Sequence, residues 1–150
     1  MFYINKNTEL DAGLLNKMIN RFHLNNLPYL EKMKNYYDGI QAIMNKSYAD
    51  DSKPCNRTVT NYCKNITDSY CGYIASPGYI SYDSDNDITV IMDILRYNDY
   101  QEEDSDFLLN ALIYGTSAEL MYVDEEGQTR FRLINPTTCF GVYDDSLSND

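Results

Sequence analysis

Hydrophobic residues recur at helical spacing through most of this chain and at strand spacing near its end. Leu10, Leu14, Met18 and Phe22 follow one another at intervals of four, which in a helix places them on one face. Thr8, followed by Glu9 and Asp11, reads as an N-cap with an acidic first turn. The stretch Leu24 to Leu27 with Pro28 breaks that helix, and a second one starts at Pro28 and carries Leu30, Met33 and Tyr37. Tyr36-Tyr37-Asp38-Gly39 closes it with Gly39 as the cap, and residues 40–44 add a last helical turn. Residues 45–57 are polar, contain Pro54 and read as a loop.

The strongest helical pattern runs from Thr58 to Ile74. Val59, Tyr62, Cys63, Ile66, Tyr70, Tyr73 and Ile74 form one apolar stripe along it. Ser76-Pro77-Gly78 is then a turn, and residues 79–82 a short strand. Ile88, Ile91, Met92 and Leu95 give a helix over residues 88–97. The acidic residues 99–106 could form an interaction patch, but read better as a solvated connector. Asp104 or Ser105 caps a further helix with Phe107, Leu108, Ala111, Leu112 and Tyr114, which Gly115 ends.

Strand spacing takes over after Gly115. Residues 118–123 alternate weakly, Asp124-Glu125-Glu126-Gly127 is a hairpin turn, and residues 129–134 return. Phe131 and Leu133 fall on one face of the returning strand, Arg130 and Arg132 on the other. Pro136 breaks it, and residues 139–143 give a third strand. The expected fold is α+β: N-terminal helices followed by a small antiparallel sheet, in a single domain spanning residues 1–150.

Charge changes this picture. The net charge is −11, which argues against a sizeable phosphate-binding surface. Residues 1–75 carry nine basic and seven acidic side chains, a net of +2, whereas residues 76–150 carry three and sixteen, a net of −13. Such asymmetry marks either a partner-facing surface or a solvated acidic face. The 15 tyrosines suit half-buried and interface positions, although an AT-rich coding bias produces the same excess. No run approaches the roughly 20 apolar residues of a membrane helix.

Chemistry-bearing patterns are weak. Cys55, Cys63, Cys71 and Cys139 lack CxxC spacing, so they read as small buried hydrophobes rather than a zinc site. Cys63 and Cys71, eight residues apart, read as core-facing neighbours. A thiol hydrolase built on Cys63 or Cys71 would need a basic partner, and His23 is the one histidine. Asp83-Ser84-Asp85-Asn86-Asp87 imitates the start of a calcium loop. Ile88 and Ile94 occupy the places of its Gly and bidentate Glu, so a polar turn is the better reading. No nucleotide-binding or serine-hydrolase signature is present. No catalytic, cofactor-binding or metal-binding residue is therefore assigned.

Several pieces taken in order carry a resemblance. They are Tyr36-Tyr37-Asp38-Gly39; Asn61-Tyr62-Cys63-Lys64-Asn65-Ile66-Thr67-Asp68 running into Gly72-Tyr73; Ile113-Tyr114-Gly115-Thr116; Glu119-Leu120-Met121-Tyr122-Val123-Asp124; Ile134-Asn135-Pro136; and Val142-Tyr143-Asp144-Asp145. In order and spacing this resembles the SPP1-type portal protein family of tailed phages, from about Leu30 to Asp145. Where that family often has Gly-x-Pro after the Gly-Tyr pair, this chain has Ala75-Ser76-Pro77-Gly78.

The resemblance implies a non-enzymatic virion protein without cofactors. The family's members are similar dodecameric rings at one capsid vertex, and packaged DNA enters and leaves through the channel without sequence-specific binding. Implied partners are copies of the chain itself, terminase, and head and head–tail connector proteins. The implied location is the portal vertex of the virion, with host cytoplasm during assembly. Family members run longer, so this chain is expected to be the wing portion of one, without stem and clip. A ring needs a head-to-tail contact, and the mildly basic first half of one subunit is expected to face the acidic second half of its neighbour. A small adaptor or regulatory domain binding a protein through its tyrosines is the competing reading.

Overall fold

The computed structural model describes residues 2–5, 7–47, 54, 56–76 and 80–144. In chain order the elements are β1 (Phe2–Ile4), α1 (Ala12–Arg21), a π-helical turn (Phe22–Asn26), α2 (Leu27–Tyr37), a 3-10 turn (Ala42–Asn45), α3 (Tyr62–Ile74), α4 (Thr89–Tyr97), α5 (Tyr100–Tyr114), β2 (Ala118–Val123), β3 (Thr129–Ile134) and β4 (Val142–Asp144). The fold is α+β, as the pattern predicts, and β2 and β3 form the expected antiparallel hairpin.

Asp11, not Thr8, caps α1: its carboxylate accepts the backbone N–H of Leu14 at 2.6 Å. The chain then runs into α2 without the expected break. A proline in regular helix lacks the N–H for its hydrogen bond and clashes with the carbonyl four residues back. Here the turn before Pro28 is widened, with the Leu27 N–H donating to Phe22 O, five residues back. Pro28 thus sits in the first turn of α2, where its missing donor costs least. Gly39 ends α2 as expected, at φ +82°. Its N–H donates to Tyr36 O and the Ile40 N–H to Asn35 O, the paired bonds of a Schellman motif.

Two helices differ from their sequence-based bounds. α3 starts at Tyr62 because Asn61 caps it, accepting from the Lys64 N–H at 3.1 Å. α5 starts at Tyr100, so the acidic run is helix rather than connector. Glu102 and Glu103 lie in its first turn, where the helix dipole favours negative charge. Gly115 closes α5 at φ +74°, as read from the sequence. Residues 80–82 form no strand, and the turn expected at Pro77 and Gly78 lies outside the described residues. So do residues 48–53 and 55 of the expected loop; of its described members, Asn45 ends the 3-10 turn and 46, 47, 54, 56 and 57 have no regular structure.

Ala118 pairs with Ile134 and Val123 with Thr129 across the hairpin. The last strand does not extend it. Instead β4 pairs in parallel with β1, Phe2 opposite Val142 and Ile4 opposite Asp144. That pairing assembles the core: Phe2, Met18, Phe22, Leu30, Ile113 and Tyr114 are buried together, with Phe140 packed against them. The Phe140 ring lies 5.0 Å from that of Phe2 and 5.2 Å from that of Phe22.

Candidate functional site

The sequence pieces that carry the resemblance are joints between elements. The Asn61 side-chain amide, besides capping α3, donates to Tyr37 O at the end of α2, at 2.8 Å. The Tyr37 hydroxyl donates to Asp68 at 2.8 Å and accepts from Lys64 Nζ at 2.9 Å. Lys64 also lies over the Tyr37 ring, 4.4 Å from its centre, and its pKa is raised, first by the bond to Tyr37 and then by Asp68. In this way the second motif clamps onto the first.

Further along, Asp124 organises the hairpin turn. Its carboxylate accepts from the Glu126 and Gln128 N–H groups and from Arg130 Nε at 3.0, 2.8 and 3.0 Å. The Gln128 backbone bond is the largest of the effects that hold its pKa below the usual range. Asn135 closes a turn by accepting from the Thr137 N–H and hydroxyl. Pro136 behind it is fully buried, and the turn returns Phe140 to the core.

A joint that the sequence did not signal is Asn98, buried at the end of α4. Its amide donates to Ile94 O at 2.8 Å and Thr129 O at 2.9 Å, and its oxygen accepts the Phe131 N–H at 3.0 Å. One side chain thus imitates a strand along the outer edge of β3. The preceding Tyr97 ring lies under the Arg130 guanidinium, 4.3 Å away. A lone Asn between two helices carries no local pattern, and nothing in the sequence points to this partner.

Runs of large apolar side chains remain uncovered on α3, α4 and β2. On α3, Tyr62, Ile66, Tyr70, Tyr73 and Ile74 are exposed, Tyr73 to 81%. The expected stripe therefore exists but faces outward, and α3 docks by its neighbouring face, through Cys71. On α4, Val90 and Ile91 are exposed, and along β2 so are Leu120, Met121, Tyr122 and Val123 on both faces. Scattered exposed hydrophobics are ordinary, whereas contiguous stripes of this kind mark contact surfaces.

Carboxylates gather between α5 and β2. Tyr82 donates to Asp104 at 3.1 Å, and its pKa is raised, by burial first and then by that bond. Glu119 is raised by burial and then by Glu103 and Asp104. Glu103 Oε2 is buried without a hydrogen-bond partner among the described residues.

The cysteines separate. Cys71 is buried and its thiol meets Ser105 O at 3.5 Å. Cys63 is exposed, which corrects the expectation that it faces the core, because α3 turns its stripe outward. Cys139 is half-buried, with its thiol pKa raised by burial, and Cys55 lies outside the described residues. His23 is exposed in the π turn. Asp87 is the cap of the expected polar turn, accepting both the N–H and the hydroxyl of Thr89.

Hydrogen-bonded joints thus fix the helix positions, and apolar faces of α3, α4 and β2 are left on the outside. A family model described as phage portal protein, SPP1 Gp6-like, matches residues 16–150, and the chain belongs to that family. A search of curated proteins finds no match.

Proposed function

We propose that this chain is a structural subunit of a phage portal, assembling with copies of itself into the ring through which DNA is packaged and ejected. The ring is dodecameric in the full-length family, and this chain serves as a single wing domain of it, without catalytic residues. Its partners are other copies of the chain, terminase, and head and head–tail connector proteins. It works at the capsid vertex of the virion and passes through host cytoplasm during assembly. The match over residues 16–150 carries this reading. The uncovered faces of α3, α4 and β2 support it, since a ring subunit needs contact surfaces rather than a pocket. No helix among the described residues is long and apolar enough to cross a membrane.

Labelled antibody against the chain tests the proposal on purified virions, alongside a phage lacking its gene. Label at a single vertex, with heads empty of DNA when the gene is missing, is the expected result. Label spread over the capsid, or filled heads without the gene, would refute it.

A further inference from the structure

We propose that the outward stripe of α3 is a docking surface for a second copy of this chain, and that the α4 face of that copy seats on it. This names a contact within the assembly proposed above and rests on that reading.

Both faces are helical and uncovered. Tyr62, Ile66, Tyr70, Tyr73 and Ile74 recur along α3 over about 18 Å of helix, and all are more than half exposed. Tyr62, Tyr70 and Tyr73 are 68%, 59% and 81% exposed. At about 200 Å² for each tyrosine side chain, these three alone leave on the order of 400 Å² in water. With the two isoleucines the stripe reaches the upper end of the largest patch found on a typical monomer. It also supplies more than half of the roughly 800 Å² that one partner contributes to a standard interface. On α4, Val90 and Ile91 are 74% and 56% exposed, and Tyr97, seven residues after Val90 and stacked under Arg130, keeps 44% of its surface in water.

Charge selects the occupant. In a chain of net charge −11, two copies repel except where their surfaces are locally neutral. The charged residues of α3 are Lys64 and Asp68, paired with each other at 3.2 Å away from the stripe. Those of α4 are Asp93 and Arg96, paired at 3.4 Å. By contrast α5 carries Glu102, Glu103, Asp104 and Asp106 with no basic residue. The approaches to the two helices are complementary as well: exposed Arg57 precedes α3, whereas exposed Asp83, Asp85 and Asp87 precede α4. A nucleic acid finds no comparable attraction on this stripe, since Lys64 is already committed to Tyr37 and Asp68. Because the two faces are different patches of one molecule, the contact is head-to-tail, the kind that closes into rings.

Cys63, exposed at the edge of the α3 stripe, supplies the test. The full chain carrying Cys55→Ser, Cys139→Ser and Val90→Cys is treated with diamide, and the products are separated without reductant. Expected is a ladder of dimers, trimers and longer chains that vanishes without Val90→Cys, because each copy offers one thiol of each kind. In parallel, Tyr73→Ser and Val90→Ser are each expected to weaken self-association by roughly tenfold or more in a light-scattering concentration series. Both sites are exposed, so far-UV circular dichroism should not change. Dimers only, formed through Cys63 with or without Val90→Cys, would mean that α3 meets α3 and would overturn the proposal. So would an unchanged mass for both serine variants, or a monomer at every concentration. Single-vertex labelling in any of these cases leaves the portal reading standing while this contact falls.

Discussion

Replacing Asn98 with alanine removes one side chain and three hydrogen bonds at once: to Ile94 O, Thr129 O and the Phe131 N–H. Each bond contributes roughly 1 kcal/mol net, and a buried donor or acceptor left unpaired costs about 1–3 kcal/mol. Asn98 is only 9% exposed, so water does not simply replace it at the β3 edge. The expected loss is about 3 kcal/mol, which for a chain of this length lowers the melting temperature by about 10 °C. Urea denaturation followed by circular dichroism measures it. Amide exchange at Phe131 should accelerate in the same variant, because that N–H then has no acceptor. Asn98→Asp sharpens the argument. It keeps the acceptor for Phe131 but sets a carboxylate against two carbonyl oxygens, so it should destabilise strongly at neutral pH and recover on acidification. A loss below about 0.5 kcal/mol for Asn98→Ala, within the range of a neutral surface change, would refute the view that Asn98 clips the hairpin to α4.

Phe22→Ala empties the centre of the core beside Phe140 and should cost about 3–5 kcal/mol by urea midpoint; a loss under about 1 kcal/mol would place the core elsewhere. Gly39→Ala forces an L side chain to φ +82°, with its Cβ 3.2 Å from Asn61 Nδ2. That should cost about 1–2 kcal/mol, with Gly39→Asn milder, and equal melting temperatures for the three proteins would contradict the Schellman geometry. Glu119→Gln tests the carboxylates between α5 and β2. The folded-state pKa of Glu119 is raised, by burial first and then by Glu103 and Asp104, so the folded chain holds this proton more tightly than the unfolded chain does. The resulting stability is present below the ordinary glutamate value of 4.5 and is lost as pH rises through the folded value. Glu119→Gln should therefore raise the melting temperature at pH 7 and leave it unchanged at pH 3; the reverse pattern would refute the repulsion.

Much of the local structure was legible because it depends on neighbours close in sequence. Gly39 and Gly115 mark helix ends, since a left-handed residue after the last turn favours glycine. Asp124 and Gly127 mark the hairpin, and the four-residue intervals of Leu14, Met18 and Phe22 mark a continuous helical face. Thr8 was misread as the cap because Asp11, three residues on, competes for the same role and wins it through the Leu14 N–H. The acidic residues 99–106 were misread as a connector because their charge masks ordinary helix propensity, which the dipole at the α5 N-terminus reinforces.

By itself the sequence determined the α+β class, most helices, the β2–β3 hairpin and membership of the portal family. Each follows from local periodicity, turn chemistry or an ordered set of short motifs. Only the tertiary structure decided that Phe2–Ile4 pairs in parallel with Val142–Asp144, that Asn98 edges β3, and that the Tyr-rich stripe of α3 faces outward. Parallel pairing joins residues nearly a whole chain apart and leaves no local signature. An apolar stripe looks the same in sequence whether it covers a core or waits for another chain; only the packing of its neighbours separates the two.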